Sequence, residues 1–276
     1  MKTLIFFLAT AVLLTACNSN STTGPQSSYD TNKALYERSL ELTDYGTALV
    51  ALNFMLLEDS TSMQYTDSLA RLYMRSGNFD AGLSLGKKVM DQNEKNYSLM
   101  ELMATAYEYK GDPPNLTKSY RHYKKLYEEV GGAKYLLKMA QVGMLQGSFE
   151  AAKKKLEEVV ESPELAYIES PTSDGGIQMI NVKAGAYMLL ANYYFSEGDQ
   201  NLGVKNLELA LKVEPEYEAA RLMVQRLQQY QQQQASLGQQ QAQQQAYQQQ
   251  LRAEQARAKK IAAEKQKEAE FLKKNK

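Results

Sequence analysis

The chain has 276 residues, 32 Lys or Arg against 32 Asp or Glu, one histidine and one cysteine. A lone cysteine excludes a disulfide framework, and with a single histidine beside it the usual zinc ligand sets are out of reach. The charge is unevenly placed: residues 251–276 carry nine basic and four acidic side chains, whereas 18–250 carry 22 basic and 28 acidic. An acidic body with a basic tail argues against nucleic acid as the partner of the folded part.

The chain opens on one basic residue, Lys2, and an apolar run from Leu4 to Leu14. That run is too short for a permanent membrane span and ends in small residues, the pattern of an export signal. The small residues lead at once into Cys17, as Leu14-Thr15-Ala16-Cys17. This resembles the lipobox of bacterial lipoproteins. The resemblance implies a signal peptide over 1–16, cleavage before Cys17 and a diacylglyceryl anchor on its thiol. Asn18 next to the cysteine, by analogy with enteric lipoproteins, implies sorting to the outer membrane. The lack of an acidic cluster after Cys17 points to the periplasmic side. Residues 17–28 contain Asn, Ser, Thr, Gly, Pro and Gln with nothing apolar to bury, and read as a flexible tether spanning about 18–20 Å. No later apolar run reaches the length needed to cross a membrane.

Residues 29–230 repeat at a period of 34. Ala70, Tyr73 and Gly77 recur as Ala104, Tyr107 and Gly111; Ala140 and Gly147 follow, then Ala191, Tyr194 and Gly198. Each Gly is followed by polar or turn residues, then by a second helical pattern with a small residue at its first buried position: Gly82, Ser119, Ala152 and Gly203. Small residues let paired helices approach closely, and glycine ends the first helix at positive φ. The pattern resembles the tetratricopeptide repeat family. The fullest copy is 184–217, with Tyr187, Leu190-Ala191, Tyr194, Gly198-Asp199, Gly203, Leu207, Ala210 and Pro215. The resemblance implies an all-α solenoid, a right-handed superhelix of helix pairs, with copies at about 29–62, 63–96, 97–132, 133–166 and 184–217. Glu216–Tyr230 reads as a capping helix. Two departures stand out: a short insertion around Pro113-Pro114-Asn115, and an extra stretch of 17 residues between copies four and five, containing Ser170-Pro171-Thr172-Ser173-Asp174-Gly175-Gly176. The second reads as a long loop, and Gly131-Gly132 and Gly175-Gly176 as helix-to-helix turns.

Residues 231–276 form a polar tail. From Gln228 to Gln250, 15 of 23 residues are Gln; from Leu251 the composition turns to Ala, Lys, Glu and Arg. The residues favour an extended helix, reaching about 70 Å over 45 residues, with a disordered tail as the alternative. The composition is similar to the helical spacer of Tol-system envelope proteins. A coiled-coil seam along Leu251, Ala258, Ala262, Ala269 and Leu272 is mostly alanine, with Lys265 in line.

No catalytic constellation emerges: no phosphate loop, no G-x-S-x-G, and a single histidine, His122, between Arg121 and Tyr123. Neither a cofactor nor a metal is expected, and the chain does not read as an enzyme. The family resemblance implies instead a concave groove lined from each first helix. Carried onto this sequence, those positions yield an apolar strip of Met74, Tyr109, Leu137, Met144, Met188 and Phe195, suited to an apolar segment of a partner protein. Of the Lys and Asn set that grips a terminal carboxylate in some members, only Asn192 matches. The expectation is a protein-interaction scaffold or assembly factor of the cell envelope, anchored through Cys17. The alternatives are a spacer whose basic tail reaches peptidoglycan, and a recruiter of a wall hydrolase.

Overall fold

A computed structural model describes residues 28–274. The signal segment, Cys17 and nearly all of the tether lie outside the described residues. Among the described residues are eleven helices and one two-stranded hairpin: α1 (Ser28–Glu41), α2 (Tyr45–Glu58), α3 (Met63–Arg75), α4 (Phe79–Gln92), α5 (Tyr97–Lys110), α6 (Pro113–Val130), α7 (Ala133–Leu145), α8 (Phe149–Glu161), β1 (Tyr167–Pro171), β2 (Ile177–Asn181), α9 (Val182–Ser196), α10 (Gln200–Val213) and α11 (Glu218–Lys274). None of these helices is long and apolar enough to cross a membrane.

The turns inside the pairs are built from local chemistry. Gly77, Gly111, Gly147 and Gly198 sit at φ between +70° and +82°, each directly after a first helix or within two residues of its end. This is the left-handed geometry that terminates helices. The polar residue after three of these glycines is the cap of the next helix. Asn78, Asp112 and Asp199 accept hydrogen bonds from the amides of Ala81, Asn115 and Leu202. Those bonds satisfy amides that a helix start leaves without partners, about 1 kcal/mol each. The bond from the Asn115 amide holds the Asp112 carboxyl below its ordinary range. In the first pair Asp44 caps α2 by accepting from Thr47, but the left-handed position belongs to Thr43 at φ +54°.

The described residues divide into two compact units, with the boundary between Ala106 and Tyr107 inside α5. In the first, Ala48, Leu52, Met55, Leu69 and Leu72 form a buried cluster with Tyr36, Leu40, Tyr45 and Tyr73 packed against it. The small residues earn their places by close approach. A methyl group at Gly82 would lie 2.5 Å from Met74 Cγ, and one at Gly86 3.0 Å from Met103 Sδ. In the second unit Leu136, Leu137, Ala140, Leu156, Val159, Val182 and Leu190 share one core cluster. Ile180, Ala184, Ala191, Leu207, Ala210 and Tyr217 share another. Full burial of each Leu, Ile or Val is worth about 1.5–3 kcal/mol.

The stretch between the fourth and fifth pairs is a β-hairpin, which corrects the loop expected there; Gly175, at φ +85°, belongs to the hairpin turn and not to a helix-to-helix turn. β1 and β2 are antiparallel, with Ile168 opposite Ile180 and Glu169 opposite Met179. Side chains alternate between faces, so Ile168, Ser170 and Ile180 point inward, and Ile180 is completely buried. The inner face fits against Gly185 of α9, where a methyl group would meet Leu137, Ile168 and Ile180 side chains at 3.2–3.6 Å. The hairpin also clamps the start of α11. Gln178 Oε1 accepts from the Glu218 amide at 3.1 Å, Gln178 Nε2 donates to the Glu216 carbonyl at 2.7 Å, and the Ser173 amide donates to Glu218 Oε1 at 2.8 Å.

Candidate partner-binding face

The first helix of each pair carries the residues assigned to the groove, and their burial separates two kinds of position. Met74, Glu108, Met144 and Phe195 occupy the twelfth place of α3, α5, α7 and the α9 copy; Arg75, Tyr109, Leu145 and Ser196 follow them. The twelfth-place side chains turn inward. Met74 is 3 % exposed and fills the space opposite Gly82. The Phe195 ring lies against Gly203, with ring atoms 2.4–2.8 Å from where a methyl group would be. Met144 is half-buried on the core of the second unit. The thirteenth-place side chains turn out: Tyr109 is 73 % exposed, Leu145 58 %, and Arg75 and Ser196 are exposed.

The strip expected from sequence is therefore split. Met74 and Leu137 are core residues, Leu137 at 1 % exposure, and neither offers a surface to a partner. Met188 and Phe195 pack on the Ile180–Leu207 cluster and expose only part of their side chains. Tyr109 and Asn192 are exposed, and Leu145 joins them. Its place beside Met144 was visible in the sequence, but an apolar stripe reports burial without saying what covers it.

Charged groups near these helices are engaged with their own chain. In the second unit Tyr123 Oη donates to Glu108 Oε2 at 3.1 Å, and Lys138 Nζ lies 3.9 Å from the same oxygen and donates to Gln141 at 3.4 Å. This ties the end of α5 to α6 and α7. In the first unit Arg71 donates to Asp67 at 2.9 Å, Ser98 at 3.0 Å and Asn96 at 3.0 Å, which ties α3 to the start of α5. Tyr193 donates to Glu150 at 2.5 Å, and this bond pushes the phenol up to about 12. His122 stacks on Tyr107, ring centroids 5.7 Å apart and 7° from parallel. Burial, aided by Lys125, lowers its pKa, so the imidazole is held neutral. Among the described residues no cluster of three or more His, Cys, Asp or Glu is placed to hold a metal ion. These arrangements position helices.

Compared with solved structures, the chain is similar to MamA from Desulfovibrio magneticus RS-1 (residues 41 to the end), with a TM-score of 0.55 and 8% identity, over 70% of this chain and 98% of that one. It is also similar to a second MamA crystal structure, with a TM-score of 0.52 and 14% identity, over 68% of this chain and 92% of that one. The chain is an all-α solenoid of tetratricopeptide type. As a sequence it matches no family model and no curated protein. Identities this low speak to the fold alone, so the activity has to be argued from this chain's own residues.

The solenoid carries one surface that the sequence reading missed. The outer face of the hairpin presents Tyr167 at 49 % exposure, Ile177 at 67 % and Met179 at 56 %, with Leu165 at 73 % just before it. The available signal was weak: Ile177-Gln178-Met179 begins an alternation of period two that Ile180 breaks, between turn residues and the next helix.

Proposed function

We propose that this protein is a non-catalytic protein-interaction scaffold of the bacterial cell envelope, anchored through a lipid on Cys17. Partner segments are held on the first-helix face of its second unit. The observation that carries the docking assignment is the exposure of two large apolar side chains, Tyr109 and Leu145, at equivalent places of α5 and α7. On first helices α7 and α9 of the same unit, half-buried Met144, Met188 and Phe195 supply soft apolar surface, and exposed Asn192 supplies a polar contact. The anchor rests on the residues around Cys17. Its acyl chains each contribute about 0.8 kcal/mol per buried methylene, enough for stable residence when several are present.

The test is mild crosslinking of the full chain in cells followed by co-purification. Tyr109→Ala with Leu145→Glu changes exposed positions and leaves the core intact, so helical content should stay constant while the co-purified set is lost. An unchanged set refutes docking on this face. Cys17→Ala should move the protein out of the membrane fraction; retention there refutes the lipid anchor. A spacer role has one observation in its favour: α11 is a continuous helix of 57 residues, about 85 Å long, ending in basic sequence. Deleting 251–276 should abolish cell-wall pull-down if the tail contacts anionic wall polymer, and leave it unchanged if it does not.

A further inference from the structure

From Gln228 to Lys265 every residue of α11 is exposed, so about 57 Å of helix runs without support from its own chain. A helix that is polar on most sides and touches nothing is marginal in water. Of its five large apolar side chains three, Tyr230, Leu237 and Leu251, fall in one column at multiples of seven, with Gln244, Ala258 and Lys265 in the remaining places; Tyr247 and Ile261 flank the adjoining column. Tyr230 is 61 % exposed, Leu237 44 % and Leu251 38 %. The adjoining column, four residues on, is Gln234, Gln241, Gln248, Gln255 and Ala262. A strict seven-residue repeat stays on one face only when two helices supercoil around it.

We propose that α11 is a homodimerisation element, in which two copies of this chain pair in parallel and in register through a two-stranded coiled coil over residues 230–265. The Tyr230–Leu251 column forms the d positions and the glutamine column the a positions. Charge selects both occupant and direction. Arg252 and Lys259 follow the d column, and Tyr247 and Glu254 precede the a column. In a parallel pair each residue before the a column faces the residue five places later on the other helix. Glu254 then meets Lys259 of the second copy, and Tyr247 meets Arg252 of the second copy, an ion pair and a cation–π contact that symmetry makes twice. Antiparallel pairing over the same span carries Arg252, Lys259 and Glu254 opposite the Gln-rich first half of the other copy, so neither contact forms. In-register pairing also brings each glutamine opposite its twin, where the amides hydrogen-bond across the seam. Polar residues at these places weaken the dimer, and a polar residue at one such place is known to fix strand number and register.

The experiment is cysteine crosslinking of the full chain, with the parent, whose single cysteine is Cys17, as baseline. Under mild oxidation Leu251→Cys should yield a disulfide-linked species of twice the chain mass, and Ala253→Cys, on the outward side of the supercoil, should stay at the parent level. Neither variant touches the solenoid core, so both fold. Equal crosslinking at the two positions, or none at 251, overturns the proposal. In the Leu251→Cys background Glu254→Lys should lower the linked fraction about three- to tenfold, by making two surface pairs repulsive, and adding Lys259→Glu should restore it. Failure of the double reversal to restore it overturns the parallel register.

Discussion

Gly82 and Gly143 invite the same substitution with opposite outcomes. At Gly82 in α4 a methyl group would lie 2.5 Å from Met74 Cγ, 2.9 Å from the Ala70 carbonyl oxygen and 2.9 Å from the Met74 amide nitrogen. Met74 can swing its side chain, but the other two atoms are the backbone of α3. To reach ordinary contact the paired helices must separate by about half an ångström, which a close-packed interior resists. Overpacking of this kind costs about 1–3 kcal/mol, and the better helix propensity of Ala returns about 1 kcal/mol. With two backbone atoms at 2.9 Å the cost falls in the upper half of that range, about 2–3 kcal/mol, so Gly82→Ala should destabilise the first unit by about 1–2 kcal/mol net. At Gly143 in α7 the nearest atom is Ala152 Cβ at 3.5 Å, an ordinary van der Waals distance. Gly143→Ala should stabilise the second unit by up to about 1 kcal/mol. Urea titration followed by far-ultraviolet circular dichroism gives the midpoints. Hydrogen exchange resolved by segment assigns each change to its own helix pair, which matters because repeat arrays do not always unfold in one step. A Gly82→Ala protein as stable as the parent, or a Gly143→Ala protein less stable than it, would refute the packing argument.

His122 predicts a pH dependence. Its folded pKa lies below the ordinary value of 6.5, so on acidification the unfolded chain takes up a proton first. Stability should fall as pH drops through 6.5 toward the folded pKa, and be insensitive to this group above 6.5. His122→Phe preserves a ring against Tyr107, and comparing its urea midpoints with the parent's at pH 7.5 and pH 5 should show a smaller acid loss; an identical loss in both proteins would sink the assignment. Thr43 occupies left-handed backbone where the later pairs have glycine. Thr43→Gly should raise the stability of the first pair by about 1 kcal/mol, read as slower hydrogen exchange in α1 and α2, and no change there would show that the position carries no strain.

Helix pairs and their turns were legible in the sequence because local chemistry makes them. Gly198-Asp199, for example, combines a residue that tolerates positive φ with one that caps the helix after it, and both effects act within a few residues of chain. The polar tail likewise had the propensity for the helix it forms. The fate of the groove side chains was not legible. Met74 and Leu145 both extend an apolar stripe, yet one is sealed beneath a glycine of its paired helix and the other stands in solvent. They take neighbouring places of their helices, the inward twelfth and the outward thirteenth, and an apolar stripe does not say which of its sides the paired helix covers. The hairpin escaped notice for a related reason. Ile168 and Ile180 are paired by strand register and buried against Gly185, a long-range fit that short alternating runs do not announce. Local sequence thus determined which segments are helices and where they stop, since capping and backbone preference act over a few residues. Tertiary packing alone decided which apolar atoms meet one another and which are left to meet a partner, since burial belongs to both contacting surfaces and not to either one.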